Sequence, residues 1–84
     1  MEPDRFDLPA RLVELLRAWA AMTRDARSDA EGQALKAEVR GIGEAAAHFG
    51  GWDAMQKLDT AVGKAGGPNQ HLNELWDGIG AWCA

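Results

Sequence analysis

Hydrophobic residues recur every three or four positions along the first third of the chain, which is the period of an α-helix with one apolar face. The positions are Leu8, Leu12, Leu15, Trp19 and Met22, with Leu16 widening the stripe. Asp7 is a favourable N-cap residue, and Pro9 is tolerated in the first turn of a helix. The pattern therefore predicts a first helix from about Asp7 to about Arg24, with this stripe buried in a bundle.

A second stripe with the same spacing predicts a second helix. Its members are Leu35, Val39, Ile42, Ala46 and Phe49. Residues 25–29 are expected to connect the two helices, and Ser28 with Glu31 matches the spacing of a capping box. Gly50 and Gly51 are expected to end this second helix, because glycine readily adopts the left-handed conformation of a C-cap.

A third, shorter helix is predicted from about Trp52 to Lys64. Its apolar face consists of Met55, Leu58 and Val62. The segment 65–69 contains two glycines and a proline, and it is the clearest loop in the chain. Asn69, at the end of that loop, is expected to cap a fourth helix with its side chain.

The last segment, residues 71–84, predicts this fourth helix. Its apolar face comprises Leu72, Leu75, Ile79 and Trp82. Gly78 and Gly80 fall inside it, where each glycine disfavours helix by up to ~1 kcal/mol relative to alanine. We interpret them as points where another backbone or a broad indole packs closely. A similar strip of small residues lies on the second helix, at Gly43, Ala47 and Gly50.

Together these segments predict an all-α fold, a compact single-domain bundle of about four helices over residues 1–84. No segment alternates apolar and polar residues with the period of two that a half-buried strand shows. Each of the two long stripes lasts only two heptads. An antiparallel helix pair within one chain is therefore favoured over a long coiled coil.

Composition and charge narrow the range of functions. The chain has 84 residues, 46% of them hydrophobic, which suits one folded domain and is too apolar for a disordered tail. A formal net charge of −4 argues against nonspecific nucleic-acid binding, which depends on basic patches. No stretch approaches the ~20 apolar residues of a membrane span, and the acidic start lacks the features of a signal peptide. These observations predict a cytoplasmic protein that binds neither nucleic acid nor membrane.

Positive charge is concentrated in the first third of the chain, where five of the six arginines precede residue 28. Two interpretations are open. One is a solvated helix face with local ion pairs, such as Asp7 with Arg11 at i,i+4 spacing. The other is a mildly basic surface that meets an acidic partner.

Residues suited to metal binding or catalysis occur without a recognisable motif. His71 and Glu74 have the i,i+3 spacing found in carboxylate metal bundles. Glu44 with His48 is the nearest approach to a second pair, and the pattern supplies no further ligand. Cys83, the single cysteine, excludes an internal disulfide. No metal, cofactor or catalytic residue is therefore assigned, and the chain is predicted not to be an enzyme. The alternative is a small-ligand or metal-binding bundle that uses His71, Glu74 and His48.

The tryptophans are the remaining candidates for function. Tryptophan is enriched at the hot spots of protein interfaces, and it is also a common core residue. Trp19 and Trp76 fit the core better, whereas for Trp52 and Trp82, at a helix start and near the end of the sequence, a half-covered rim or interface position is about as favoured as the core. The candidate interaction surface comprises Trp52, Trp76, Ile79 and Trp82.

Part of the second half of the chain resembles small uncharacterised bacterial proteins that end in a WDGIGxW-like phrase. The resemblance rests on the Gly50-Gly51 break, on Met55-Gln56 and on Trp76-Asp77-Gly78-Ile79-Gly80-Ala81-Trp82. It implies a helical domain of unknown function and supplies no catalytic residues. The predicted function is thus a non-enzymatic helical protein–protein interaction module, with self-association as a homodimer among its forms.

Overall fold

Four helices contain most of the residues that the computed structural model describes, which are residues 8–80 and residue 82. In chain order they are α1 (Leu8–Ala21), α2 (Arg24–Ser28), α3 (Ala30–Lys64) and α4 (Gln70–Leu75). This described part of the chain contains no strand, and the predicted all-α bundle is confirmed. The radius of gyration is 12.3 Å, close to the value of about 12 Å for a compact chain of this length. None of the described helices is long and apolar enough to cross a membrane.

Helix α1 buries most of the stripe that its sequence pattern predicts. The buried members are Leu12, Leu15, Leu16 and Trp19. Leu8, the first residue of the helix, is 37% exposed, and the helix ends at Ala21, three residues before the predicted Arg24. The predicted N-cap, Asp7, lies outside the described residues. The apolar face of α1 packs chiefly on α3.

The predicted connection between the first two helices is wrong, because it contains the short helix α2. Thr23 is the N-cap of α2, and its Oγ1 accepts a hydrogen bond from the backbone N–H of Ala26 at 3.1 Å. This bond satisfies an N–H group that has no partner within the helix. The predicted capping box does not form, because Ser28 still belongs to α2 and Asp29 occupies the N-cap position of α3, so Glu31 has no Ser28 cap to reach back to.

Helix α3 is divided at Gly51 into two arms, residues 30–50 and 52–64. Gly51 has φ 66° and ψ −156°, a combination that is essentially restricted to glycine. The predicted break at Gly50-Gly51 is therefore confirmed, although the second and third predicted helices follow one another without a loop. The direction of the helix changes at this residue, so the two arms present different faces to the core.

The second apolar stripe faces the core except at its end. Val39 is fully buried, and Leu35, Ile42 and Ala46 are partly buried against the core. The placement of Phe49 in the core is wrong, because its side chain is 87% exposed. The apolar stripe thus extends further along the first arm than the described elements that pack against this arm.

The second arm of α3 and the loop after it largely agree with the prediction. Met55 and Val62 are buried and Leu58 is partly buried, and the helix ends at the predicted residue. Asn69 occupies the N-cap position of α4, but its side chain makes no capping hydrogen bond. Its Nδ2 instead donates to Oδ1 of Asp59 at 3.2 Å, which ties the loop to the second arm.

The predicted fourth helix is too long, since α4 ends at Leu75. Residues 76–80 form turns in which Gly78 has φ 89° and Gly80 has φ 55°. The backbone N–H of Gly78 donates to the carbonyl of Trp82 at 3.1 Å. Close packing is the wrong explanation for Gly78, because a Cβ at that position would meet no atom within 4 Å. Glycine occurs there because the turn requires a positive φ.

Candidate functional site

The predicted tryptophan surface is mostly part of the core. The rings of Trp76 and Trp82 pack edge to face with centroids 5.3 Å apart, and the Trp52 ring lies 6.3 Å from that of Trp82. We call Trp76, Ile79 and Trp82 the tryptophan cluster; all three are buried, and the expectation of a half-covered Trp82 is wrong. No described residue accepts a hydrogen bond from the buried Nε1 of Trp82, so the described contacts of this indole are packing contacts. Trp52, at 46% exposure, is the member of the predicted surface that solvent reaches.

Trp76 is held in a space that glycine provides. Its Nε1 donates to the backbone carbonyl of Val39 at 2.9 Å, which satisfies the buried N–H. A Cβ at Gly43 would lie 2.5 Å from that Nε1, so the indole occupies the volume of a side chain. A Cβ at Gly80 would lie 3.6 Å from the Cβ of Ala47. Two members of the predicted small-residue strip, Gly43 and Ala47, therefore receive a neighbour, which is the turn after α4 with its indole and not a helix. The third member, Gly50, lines an exposed groove instead.

Two of the arginines in the first third of the chain make contacts within the chain. Arg11 donates from Nε to Oε2 of Glu38 at 2.9 Å and also pairs with Glu14. The hydrogen bond with Glu38 raises the pKa of the Arg11 guanidinium. Arg27 donates to the backbone carbonyl of Trp19 at 3.1 Å and lies 5.0 Å from the centre of its ring. These contacts favour local pairing over a basic docking surface; the predicted partner of Arg11, at position 7, lies outside the described residues.

The structure brings together only part of the alternative ligand set, which is His71, Glu74 and His48. Nδ1 of His71 and Oε1 of Glu74 lie 2.8 Å apart, as their i,i+3 spacing predicts. His48 packs against the ring of Phe49 with centroids 4.9 Å apart. Within residues 8–80 and 82, no three His, Cys, Asp or Glu residues are grouped so that they could hold a metal ion.

An exposed apolar groove of about 600 Å³ lies between the start of α1 and both arms of α3. We call it the Phe49 groove. It is lined by Leu8, Pro9, Ala45, Ala46, Phe49, Gly50, Ala54, Lys57 and Leu58. Among the described residues of the lining, Lys57 is the one that carries a charge, and the largest exposed side chain is that of Phe49. The Gly51 break separates the lining residues of the two arms, so the conformation of this glycine shapes the groove.

Sequence reasoning missed this groove because it assigned Phe49 to the core by its helical spacing. A usable signal was present in the neighbouring residues. Ala45, Ala46 and Gly50 surround a single large aromatic residue immediately before a helix break. Small side chains beside a large one leave a depression unless another element of the same chain fills it.

A second groove of about 310 Å³ continues along the second arm. It is lined by Gln56, Lys57, Thr60, Ala61 and Lys64. Lys57 belongs to both grooves, so a lysine stands at their junction and another at the far end. Neither lysine forms an ion pair with another described residue.

Comparisons with known proteins do not assign a function to the grooves and contacts described above. No protein-family model, curated protein or solved structure matches the chain. The resemblance to small bacterial proteins therefore stays a prediction, and a functional proposal for this chain rests on the Phe49 groove and its surroundings.

Proposed function

We propose that this chain is a non-enzymatic helical protein–protein interaction module that binds a helical segment of another polypeptide in the Phe49 groove. The observation that supports it is the exposure of Phe49 in a groove whose described lining is apolar except for Lys57. Exposed apolar patches of this kind commonly mark contact sites. Covering the Phe49 ring would contribute about 1.5–3 kcal/mol by removing it from water.

The open form of the groove favours a polypeptide over the alternative small ligand. Small-molecule sites commonly enclose about 70–90% of their ligand. Here the Phe49 side chain that lines the groove is itself mostly in water, so a small apolar ligand would remain exposed on one side. An amphipathic helix covers such a groove with its apolar face and keeps its own polar face in solvent.

A cytoplasmic location, without nucleic-acid or membrane partners, is part of the same proposal. The net charge of −4 supports it, because phosphate-rich surfaces repel such a chain. Self-association as a homodimer is the special case in which the second polypeptide is another copy of this chain.

A photo-crosslinking amino acid placed at Phe49 tests the proposal in the native cell. Phe49 is exposed, so its replacement should leave the fold intact, and Ala37, an exposed residue of α3 outside the groove, is the matched control position. We expect a discrete protein adduct from position 49 and none from position 37. Adding Ala45→Glu, which places a charge in the groove, should abolish the adduct.

Three results would change the conclusion. Adducts of equal yield from both positions, or none from position 49, would contradict a docking site at the groove. An adduct with twice the mass of the chain would assign the groove to a second copy. Persistence of the adduct in the Ala45→Glu variant would show that the contact does not use the apolar lining.

A further inference from the structure

We infer, on the basis of the interaction function proposed above, that the partner helix carries acidic residues beside its apolar face and that Lys57 and Lys64 bind them. The Phe49 groove would take the apolar face of that helix. The lysines of the second arm would pair with carboxylates along its flank. The partner is thus defined by chemistry as an acidic amphipathic helix.

The distribution of charge around the grooves supports this assignment. The chain contains 13 acidic and 9 basic residues, yet no acidic residue is found among the described residues that line the two grooves. Two of the chain's three lysines, Lys57 and Lys64, line these grooves. Neither is neutralised by an ion pair within the described residues. The grooves are therefore locally cationic on a chain that is acidic as a whole.

The spacing of the two lysines defines the pattern that a partner should show. Lys57 and Lys64 are seven residues apart on one helical arm, which is about two turns or about 10.5 Å along its axis. Carboxylates one heptad apart on a parallel or antiparallel partner helix would lie opposite them. Asp53 lies one turn before Lys57 and is exposed, so acidic residues of the partner are disfavoured at the end nearest the break.

An anionic membrane is a weaker candidate for the same cations. Membrane-binding segments typically use clusters of about four to eight basic residues, and these grooves supply two. The observations therefore favour a discrete acidic helix.

Two labelled, helix-stabilised peptides of about five turns provide the test. Both carry the same leucine stripe; one has glutamates along its flank, and the other has lysines at those positions. Fluorescence anisotropy with the full chain should show about tenfold tighter binding of the glutamate peptide. The difference should largely vanish at about 1 M salt, where the Debye length is about 3 Å.

Charge reversal in the protein supplies the matched variants. The double variant Lys57→Glu, Lys64→Glu should reverse the preference between the two peptides, while Lys36→Glu, at the third lysine, should leave it unchanged. Circular dichroism of each variant checks that the helices remain. Phe49→Ala should weaken both peptides about equally, because it removes an apolar contact that they share.

Each other outcome has a definite meaning. Equal binding of the two peptides, lost in Phe49→Ala, would overturn the acidic partner and leave the groove function standing. Binding of neither peptide would overturn both. A dimer in sedimentation equilibrium that dissociates in Phe49→Ala would assign the groove to a second copy instead. Lysine-dependent binding to phosphatidylserine vesicles, with neither peptide bound, would assign the cations to a membrane.

Discussion

The tryptophan cluster and the Phe49 groove both place aromatic rings beside small residues of α3, yet one is buried and the other is exposed. Trp76 is fully covered and rests on Gly43, whereas Phe49 is 87% exposed beside Ala45 and Gly50. The two places differ in whether a later segment of the chain packs over them. The turn after α4 returns an indole to Gly43, and no described segment returns to cover Phe49. Small residues on a helix thus leave a depression, and whether that depression is filled depends on where the rest of the chain packs.

The largest loss of stability should come from removing the Trp76 indole, which fills the space beside Gly43. Trp76→Ala is expected to destabilise the fold by about 3–5 kcal/mol, because it leaves a large cavity and deletes a satisfied buried hydrogen bond. Chemical denaturation monitored by circular dichroism measures this loss. Trp52→Ala is the control, and at 46% exposure it should cost clearly less. Equal losses in the two variants would remove the distinction between core and rim tryptophans.

A methyl group added beneath the same indole tests directly whether the ring packs closely on α3. Gly43→Ala is expected to destabilise by about 1–3 kcal/mol, because its Cβ would approach Trp76 to 2.5 Å and the buried ring has little room to move. Gly41→Ala is the matched variant two residues earlier, where a Cβ meets nothing within 4 Å. It should stabilise by up to about 1 kcal/mol through helix propensity. A stabilising Gly43→Ala would show that the indole is not closely packed on α3.

The turn that returns the indole should depend on the backbone conformation of Gly78. Gly78→Val is expected to destabilise by about 1–2 kcal/mol, since φ is 89° and a β-branched residue disfavours positive φ. Gly78→Asn should lose less, because asparagine tolerates that region better. Thermal melts of the two variants show whether backbone strain causes the loss of stability. Equal losses from these side chains of similar size would point to crowding instead of backbone strain.

The smallest effect on stability is expected in the exposed groove. Phe49→Ala should change the free energy of unfolding by less than about 0.5 kcal/mol, as is usual for exposed positions, while it weakens the binding of both test peptides. Denaturant titration and the peptide anisotropy assay give the two quantities on one sample. A loss of more than about 2 kcal/mol in the free energy of unfolding would show that Phe49 is a core residue. The tryptophan cluster and the Phe49 groove would then no longer differ in this respect.

Helical spacing predicted the elements best where a whole stripe lies inside the bundle. Leu12, Leu15 and Val39 are buried as their positions indicate, and the break at Gly51 falls where two glycines adjoin. Spacing failed at Phe49, where the apolar periodicity continues although no described element covers that side chain. A periodic pattern reports the conformation of a segment, and it does not report how far along the segment other elements extend.

The local chemistry of caps and turns was harder to predict, because several side chains competed for each position. Ser28 matches a capping box by spacing, yet Thr23 starts a short helix before it and Asp29 takes the cap position of the next. Asn69 is a good cap residue, yet its amide bonds to Asp59 across the loop. A tertiary hydrogen bond of this kind can replace a local one of similar strength, so sequence alone does not decide between them.

The amino-acid sequence by itself determined that this chain is helical, where its long helix breaks and which stripe of α1 is buried, because backbone propensity and apolar periodicity act over a few neighbouring residues. Tertiary structure alone decided which aromatic residues are covered. Burial of Trp76 depends on a contact with Gly43, 33 positions earlier in the sequence, and the exposure of Phe49 depends on the lack of any such contact among the described residues. Contacts between distant positions arise only when the helices pack. The small residues beside Phe49 could indicate a depression, but only the folded chain shows that no described segment fills it.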